Sequence, residues 1–327
     1  MDRDSLKFFT NAEILAARSA RNQVAADHPY EFFVEPECNA AVEVVDIATL
    51  FLTNRECPFR CLMCDLWRNT LTESVQPGEI PQQIRWAFEQ LGSDLNRARE
   101  IKLYNSGNFF DRKAIPSADH KAIANLVQRF DNVIVENHPK LCSDACLEFR
   151  DLIAPATLEI AMGLEVADDT LLKVLNKEMT LDDFARAANF LHENGIRTRA
   201  FILLKPPFVD EQEGIDLALK SIDFAFSVGV STCAVIPTRT GGTPTQPVGM
   251  MDQLLKSGEF TPPLGSSLEL VLEEGIKRGQ GRVFVDTWDA EQFFSCDSCR
   301  SQRIERLHRM NLSQSILPAI HCQACHP

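Results

Sequence analysis

The stretch Cys57-Pro58-Phe59-Arg60-Cys61-Leu62-Met63-Cys64 places three cysteines within eight residues, in the spacing C-x3-C-x2-C. Three thiolates this close together are typical of a loop that binds a metal cluster. A [4Fe-4S] cluster is normally held by four cysteines, so a loop that offers three leaves one iron open to another ligand. Two alternatives stay open at this point: a zinc knuckle whose fourth ligand lies elsewhere, and three unrelated buried thiols.

Length and charge limit the possible classes of protein. The chain has 327 residues, is 45% hydrophobic and carries a net charge of −13. This length allows one large α/β core with an appendage, and the acidic balance argues against a protein that coats nucleic acid. From Cys296 onward, however, four arginines outnumber two acidic residues. This basic end indicates either a polyanionic partner or a solvated helix face.

Cysteine usage and the N-terminus indicate the compartment. The chain has 11 cysteines, and Met1-Asp2-Arg3-Asp4 does not resemble the start of a secretory signal. No apolar run reaches membrane-spanning length. We therefore expect a cytoplasmic protein without a membrane partner, whose cysteines ligate metals or clusters and do not form disulfides.

Alternating patterns along the chain predict βα units. The segment 42–52 is rich in β-branched residues and predicts a buried strand that leads directly into the cysteine loop. The other predicted strands cover 99–104, 132–136, 158–164, 197–204 and 231–236, and the predicted helices cover 82–91, 117–130, 143–153, 168–175, 181–194, 212–228 and 268–277. Six such units predict an α/β fold with a parallel sheet, a partial (β/α)6 TIM-like barrel, with functional groups at the carboxyl ends of its strands.

The remaining segments are assigned to the periphery. Residues 1–40 are expected to be an N-terminal helical extension, with a helix over Leu6–Ala26. Residues 41–286 form the predicted barrel, which includes an irregular connection over 243–265 and a short strand at Arg282–Asp286. Residues 287–327 form the predicted metal-binding appendage.

Polar residues follow the predicted strands and are the candidate site residues. They are Asn105, Ser106 and Gly107 after the second strand, Glu136 and Asn137 after the third, Glu165 and Lys177 after the fourth, Lys205 after the fifth and Arg239 after the sixth. Lys205 and Arg239 suit an anionic substrate, but either could equally be a rim charge that faces solvent. The histidine that follows Asn137 is as suitable for a structural role as for a functional one.

A second metal constellation lies at the C-terminus. Cys296-x2-Cys299 and Cys322-x2-Cys325 are two pairs separated by 22 residues. Paired C-x2-C motifs complete tetrahedral sites with four sulfur ligands, so structural zinc is expected, with an auxiliary iron–sulfur cluster as the alternative. The arginines between the pairs recur at i, i+3 spacing and predict a helix with a basic stripe.

Several of these features together resemble the radical SAM superfamily, and within it the subfamily of the radical SAM subunit of archaeosine synthase. The resemblance covers nearly the whole chain from about residue 40. It is carried by the cysteine loop, Ser106-Gly107, Gly163-Leu164-Glu165 with Asn176-Lys177, Lys205-Pro206-Pro207-Phe208 and the two terminal cysteine pairs.

The resemblance implies a cofactor set and a chemistry. Cys57, Cys61 and Cys64 would hold a [4Fe-4S] cluster, with S-adenosylmethionine (SAM) on the open iron. An external one-electron reductant would drive cleavage of SAM to a 5'-deoxyadenosyl radical, which takes a hydrogen from the substrate. The family's subunit works with a partner subunit and fragments a lysine adduct on a 7-deazaguanine base in tRNA. A lyase-type step on such a nucleoside or tRNA is the expected function.

The resemblance also assigns roles to the residues at the strand ends. The SAM contacts would come from the turn Asn105–Gly107, from Glu136, and from Glu165 with Lys177. They would also come from Met63, which stands where many members place an aromatic residue. Asn137, Lys205 and Arg239 would face the substrate. Two other hypotheses are kept open: a radical SAM enzyme acting on a small metabolite or peptide, with an auxiliary cluster at the C-terminus, and a non-enzymatic zinc protein.

Overall fold

A curled sheet with helices on its outer face organises the molecule. The computed structural model describes residues 6–243 and 245–325. In this part of the chain the strands are β1 (Glu31–Cys38), β2 (Val44–Phe51), β3 (Ala98–Tyr104), β4 (Asn132–Glu136), β5 (Thr157–Glu165), β6 (Arg197–Leu204), β7 (Thr232–Pro237) and β8 (Arg282–Val285). They form one sheet in the order β1 to β8, in which β1 is antiparallel to β2 and all later neighbours are parallel.

Most of the helices connect successive strands, as crossovers of a parallel sheet do. Within the described residues they are α1 (Asn11–Ala16), α2 (Glu79–Leu91), α3 (His120–Val127), α4 (Asp144–Ile153), α5 (Asp169–Val174), α6 (Leu181–Glu193), α7 (Glu211–Ser227), α8 (Met250–Ser257), α9 (Gly265–Lys277) and α10 (Arg300–Ser313). Side-chain caps fix several starts: Thr180 and Asp183 form a capping box on α6, and Asp210 caps α7. No helix among the described residues is long and apolar enough to span a bilayer.

Strand alternation sends apolar side chains outward to the helices and polar ones into the barrel. On β5, for example, Leu158, Ile160 and Met162 belong to the main hydrophobic core between sheet and helices. The intervening Glu159 is buried and lies 2.7 Å from the Arg199 guanidinium on β6. The barrel interior is therefore held by ion pairs at this level and the outer layer by hydrophobic packing.

Specific hydrogen bonds join the two edge strands of the sheet, β1 and β8, and cover the outer edge of β8. Arg282 on β8 donates a 2.7 Å hydrogen bond to the carbonyl of Cys38 on β1, so the curl brings the two edge strands together. The outer edge of β8 is covered by side-chain amides: Gln314 pairs with Val283, and Asn311 pairs with Val285, each through the backbone N–H and C=O. These bonds satisfy backbone groups that an open edge would expose.

The predicted α/β fold with a partial TIM-like barrel is confirmed, but two segments differ from the prediction. The helix expected over Leu6–Ala26 is confined to Asn11–Ala16, and Glu31–Cys38 forms the unpredicted strand β1. The segment expected to be irregular contains α8, Met250–Ser257. Strand β1 contains Pro36, which is tolerated because β1 lies at the edge of the sheet.

Candidate active site and metal centre

The three cysteines of the cluster loop, residues 57–64, lie just beyond the carboxyl end of β2. Cys61 is buried, Cys57 and Cys64 are half-buried, and Asn108 Nδ2 donates to Cys57 Sγ at 3.1 Å. Burial raises the pKa of the Cys61 thiol to about 11. Thiols held this way need a bound cation or cluster to become thiolates.

The three cysteines of the loop differ from the C-terminal ones in how closely their sulfurs are grouped. Among the described residues, a group of candidate ligand atoms compact enough for a single metal ion is found at the four C-terminal cysteines, whose sulfurs lie within 4.8 Å of one another. Cys57, Cys61 and Cys64 do not form such a group, and their assignment to a cluster rests on the C-x3-C-x2-C spacing.

An acidic residue next to the loop ties it to the N-terminal segment. Glu56 accepts from Arg18 at 2.6 Å and from Arg21, and it also pairs with Arg60 at 3.2 Å. Arg18 in turn stacks over Trp67, 4.7 Å from the ring centre. No sequence pattern points to Arg18 and Arg21, because their acidic partner is more than 30 residues away.

His138 supports the cluster loop by packing against Phe59. Its ring stacks on Phe59 with centroids 3.8 Å apart. The ring Nδ1 accepts from the backbone N–H of Lys140, so the neutral ring donates from Nε2 to the carbonyl of Lys177 at 3.1 Å. Burial and the nearby Lys177 charge lower the pKa of His138 to about 3. This histidine therefore acts as a neutral support for the loop.

The turn after β3 is organised by Glu136. The backbone N–H of Asn105 donates to Glu136 Oε1 at 2.5 Å, and the N–H groups of Ser106 and Gly107 also face this carboxylate. Burial raises the pKa of Glu136 to about 7, against the opposing effect of these hydrogen bonds. The side-chain oxygen of Asn105 is buried and has no hydrogen-bond partner within the described residues. A buried orphan acceptor beside the cluster loop fits an incoming ammonium group.

Tyr30, which precedes β1, closes this turn from above and was missed by sequence analysis. Its hydroxyl lies 2.8 Å from Ser106 Oγ, and Ser106 adopts a left-handed backbone with φ of 50°. Glu165 and Lys205, at the ends of β5 and β6, are also left-handed, with φ of 65° and 57°. Non-glycine residues with a left-handed backbone are often found at functional sites. These three residues therefore mark the carboxyl edge of the sheet as the candidate site.

Glu165 and Lys177 form a buried ion pair at the end of β5. Lys177 Nζ lies 2.6 Å from Glu165 Oε1, and each residue is 7% exposed. Burial alone would lower the pKa of Lys177, but the Glu165 charge outweighs it and the pKa is raised. Gly163 makes room for the pair, because a Cβ at this position would lie 2.2 Å from Glu165 Oε1 and 2.4 Å from Lys177 Nζ.

The two cationic residues predicted to contact the substrate, Lys205 and Arg239, already have partners within the chain. Lys205 Nζ lies 2.7 Å from Glu211 and 2.8 Å from Thr261 Oγ1. Arg239 pairs with Asp286 and donates to the carbonyl of Trp288 at 2.7 Å. Both positive charges are therefore already paired within the chain.

Of the other two residues predicted to contact ligands, Asn137 follows β4 and Met63 belongs to the cluster loop. Asn137 is buried; it accepts from the N–H of Phe110 and faces the sulfur of Cys142 at 3.6 Å. Met63 is partly buried. It packs against the main hydrophobic core and against a second, smaller hydrophobic cluster that includes Phe9, Phe208 and Phe260. Their roles toward substrate and SAM stay predictions.

The four C-terminal cysteines form a compact group. Cys296 Sγ lies 3.8 Å from Cys322 Sγ, and Cys299 Sγ lies 3.8 Å from Cys325 Sγ. All four sulfurs lie within 4.8 Å of one another, and Arg303 Nε donates to Cys299 Sγ at 3.2 Å. The predicted metal site is thus assembled, with an N–H···S bond that offsets the charge of the thiolates.

Two arginines of the basic stripe predicted on the last helix face inward, whereas Arg309 is exposed. Arg303 and Arg306 both pair with Glu269 on α9, and Arg306, which is 4% exposed, also pairs with Glu273 at 2.7 Å. The prediction that these arginines form a solvated face or meet a polyanion is therefore wrong for Arg303 and Arg306, because both guanidinium groups are paired with carboxylates on α9. The hydrogen bonds instead clasp α10 and its metal site to the barrel.

Comparisons with known proteins agree with this geometry. No family model matches the sequence. Archaeosine synthase subunit beta from Thermococcus kodakarensis is 26% identical over 62% of this chain and 66% of that protein. The same subunit from Methanosarcina acetivorans is 24% identical over 78% of this chain and 74% of that protein. An uncharacterised protein from Methanocaldococcus jannaschii is 24% identical over 78% and 72%.

Among solved structures, the archaeal Elp3 of Methanocaldococcus infernus superposes with a TM-score of 0.50 at 16% identity, over 71% of this chain and 59% of that one. The chain therefore shares its fold with this structure, and archaeosine synthase subunit beta is among its sequence relatives, in line with the resemblance drawn from the sequence.

Proposed function

We propose that the chain is a radical SAM enzyme in which Cys57, Cys61 and Cys64 hold a [4Fe-4S] cluster. The observation that carries this proposal is the buried, unpartnered side-chain oxygen of Asn105 next to a loop whose three thiols are buried or half-buried. When bound, the cluster, fed by an external one-electron reductant, supplies the electron that cleaves SAM to a 5'-deoxyadenosyl radical.

The chain's own groups bind and orient SAM. Asn105 Oδ1 accepts from the SAM ammonium, while Glu136 fixes the turn that presents this oxygen. Lys177 and Glu165 offer one cation and one anion at the end of β5. This pair suits the SAM carboxylate and the ribose hydroxyls. Met63 supplies a polarisable side chain for the adenine ring.

For the substrate we propose a lyase-type step on a modified 7-deazaguanine nucleoside, free or in tRNA. Two sequence relatives are named archaeosine synthase subunit beta, which supports this class and also a partner subunit. The net charge of −13 and the internal pairing of Arg303 and Arg306 mean that any RNA contact lies elsewhere or on the partner. Asn137, Lys205 and Arg239 stay the proposed substrate contacts.

For the C-terminal site we propose one structural zinc ion. The two 3.8 Å sulfur–sulfur distances equal the separation of about 3.8 Å that a tetrahedral Zn–S site requires. An auxiliary cluster would spread its four thiolates around several irons. The ion would join the start of α10 to the segment after it, which supports a structural role.

Anaerobic incubation of the reduced, cluster-loaded protein with candidate substrates tests the proposed reaction. We expect a 7-deazaguanine nucleoside or tRNA carrying a lysine adduct to raise 5'-deoxyadenosine formation above the background rate and to lose the adduct. A small metabolite or peptide that stimulates formation, with no response to either nucleoside substrate, would contradict the proposed substrate class.

A further inference from the structure

Three aromatic side chains form a continuous row inside the barrel. Phe51 on β2 and Tyr104 on β3 have ring centroids 5.8 Å apart, and Tyr104 and Phe201 on β6 have centroids 6.2 Å apart. Strands β4 and β5 lie between β3 and β6 in the sheet. The second contact can therefore be made only across the concave face, so these rings, here called the aromatic row, lie inside the barrel.

The aromatic row is distinct from the hydrophobic core. The preceding or following residues on the same strands, Leu50, Leu103 and Ile202, are fully buried and pack toward the helices. The row residues point the opposite way, belong to neither hydrophobic cluster and are only half-buried. Partly accessible aromatic rings on the inner face of the sheet are suited to contact a ligand that enters the barrel.

Charged residues below the row define its lower boundary. One position toward the base of the barrel, Lys102 Nζ lies 2.6 Å from Glu37, and Arg199 lies 2.7 Å from both Glu37 and Glu159. These groups are paired with one another and form a closed ionic layer. A ligand entering from the carboxyl end of the strands therefore meets the rings and goes no deeper.

The upper boundary is the candidate cofactor site. Tyr104 immediately precedes Asn105, whose side-chain oxygen is the orphan acceptor. Phe201 is the register partner of Gly163, the residue that makes room for the Glu165–Lys177 pair. The aromatic row thus lies directly beneath the groups proposed to bind SAM, at the depth where a substrate atom would meet the radical.

We infer that Phe51, Tyr104 and Phe201 form a stacking floor that binds a planar heteroaromatic ring of the substrate. Edge-to-face rings offer both π-faces and ring edges to a flat ligand, and stacking is tolerant of the ring's hydrogen-bonding pattern. The inference rests on the proposed function and names the residues that would hold the ring of its nucleoside substrate. The ionic layer below carries no net unpaired charge, which suits a neutral ring.

Binding of 7-deazaguanosine to the cluster-loaded, SAM-bound, unreduced protein tests the inference by calorimetry, with D-ribose as the non-planar control. We expect the nucleoside to bind and ribose not to bind. Tyr104→Leu and Phe201→Leu should each weaken nucleoside binding at least about fivefold, the loss typical of one stacking contact. Tyr104→Phe keeps the ring and should bind within about twofold of the unchanged protein.

Phe190→Leu is the matched control, since Phe190 lies on α6 and packs against the outer hydrophobic core. It should leave nucleoside binding unchanged. Uncoupled SAM cleavage by each variant after reduction reports whether the barrel and cofactor site are intact. If the Leu variants cleave SAM and still bind the nucleoside as tightly as the unchanged protein, the stacking floor is refuted. If the unchanged protein does not cleave SAM, the proposed function itself fails.

Discussion

Lys177 Nζ lies 2.6 Å from Glu165 Oε1, although the two residues are 12 positions apart and join the chain on opposite sides of α5. Both side chains are 9% exposed, so each charge depends on the other. Gly163 lines the same space and would clash with both groups if it carried a Cβ. The three residues act as one unit at the candidate SAM site.

Gly163→Ala should break this unit without removing a charge. We expect SAM affinity to fall at least about tenfold, because a methyl group forces apart a charge-assisted hydrogen bond. Calorimetric titration of the oxidised, cluster-loaded protein measures this. Gly249→Ala is the control, since a Cβ there meets nothing within 4 Å. Equal SAM affinity in the two variants would contradict the assignment of Glu165 and Lys177.

Metal analysis separates the two metal centres. We expect about four irons and about one zinc per chain. Cys322→Ser should lower the zinc content and leave the iron content unchanged, whereas Cys57→Ser should do the reverse. About eight irons without zinc would show that the C-terminal cysteines hold a second cluster.

Glu269→Gln should loosen the C-terminal helix. The carboxylate pairs with Arg303 and Arg306, and its loss leaves two largely buried guanidinium groups short of a partner. We expect the free energy of unfolding to fall by about 3 kcal/mol, measured by urea denaturation. Glu274→Gln, on the same helix but in an exposed pair with Lys277, should change it by no more than about 0.5 kcal/mol. A similar loss in both variants would argue against the clasp.

The Glu136 carboxyl predicts a pH dependence of stability. Its folded pKa, raised to about 7, exceeds the ordinary value of 4.5, so its contribution is fully present below pH 4.5 and is lost as pH rises through 7. Glu136→Gln lacks this titration. The stability of the unchanged protein minus that of the variant should therefore fall by about 1–3 kcal/mol between pH 5 and pH 8. A difference independent of pH would show that Glu136 titrates normally.

The barrel could be predicted from sequence because its strands are short apolar runs separated by helices. Strand β1, Glu31–Cys38, was missed because its acidic residues and Pro36 break up the apolar pattern. The acidic residues make sense only once Glu37 faces Lys102 and Arg199 inside the barrel. Helix α8 was missed because it lies in a stretch rich in proline and glycine.

The compact group of four C-terminal cysteines could likewise be predicted, because the spacing within each pair is local. Pairings across the fold could not. Arg303 and Arg306 were expected on a solvated helix face or against a polyanion, yet Glu269, 34 and 37 residues away, pairs with both. Lys205 and Arg239 were expected at the rim, and the structure supplies Glu211 and Asp286 as their partners. Sequence spacing alone does not show which distant charges meet.

The central claim is that the three-cysteine loop supports reductive cleavage of SAM. The direct measurement is 5'-deoxyadenosine formed from SAM by the anaerobically reconstituted, reduced protein, quantified by mass spectrometry. We predict formation by the unchanged protein and none by Cys61→Ala. A protein that carries about four irons yet forms no 5'-deoxyadenosine, or a Cys61→Ala variant that forms it at the unchanged rate, would contradict the account.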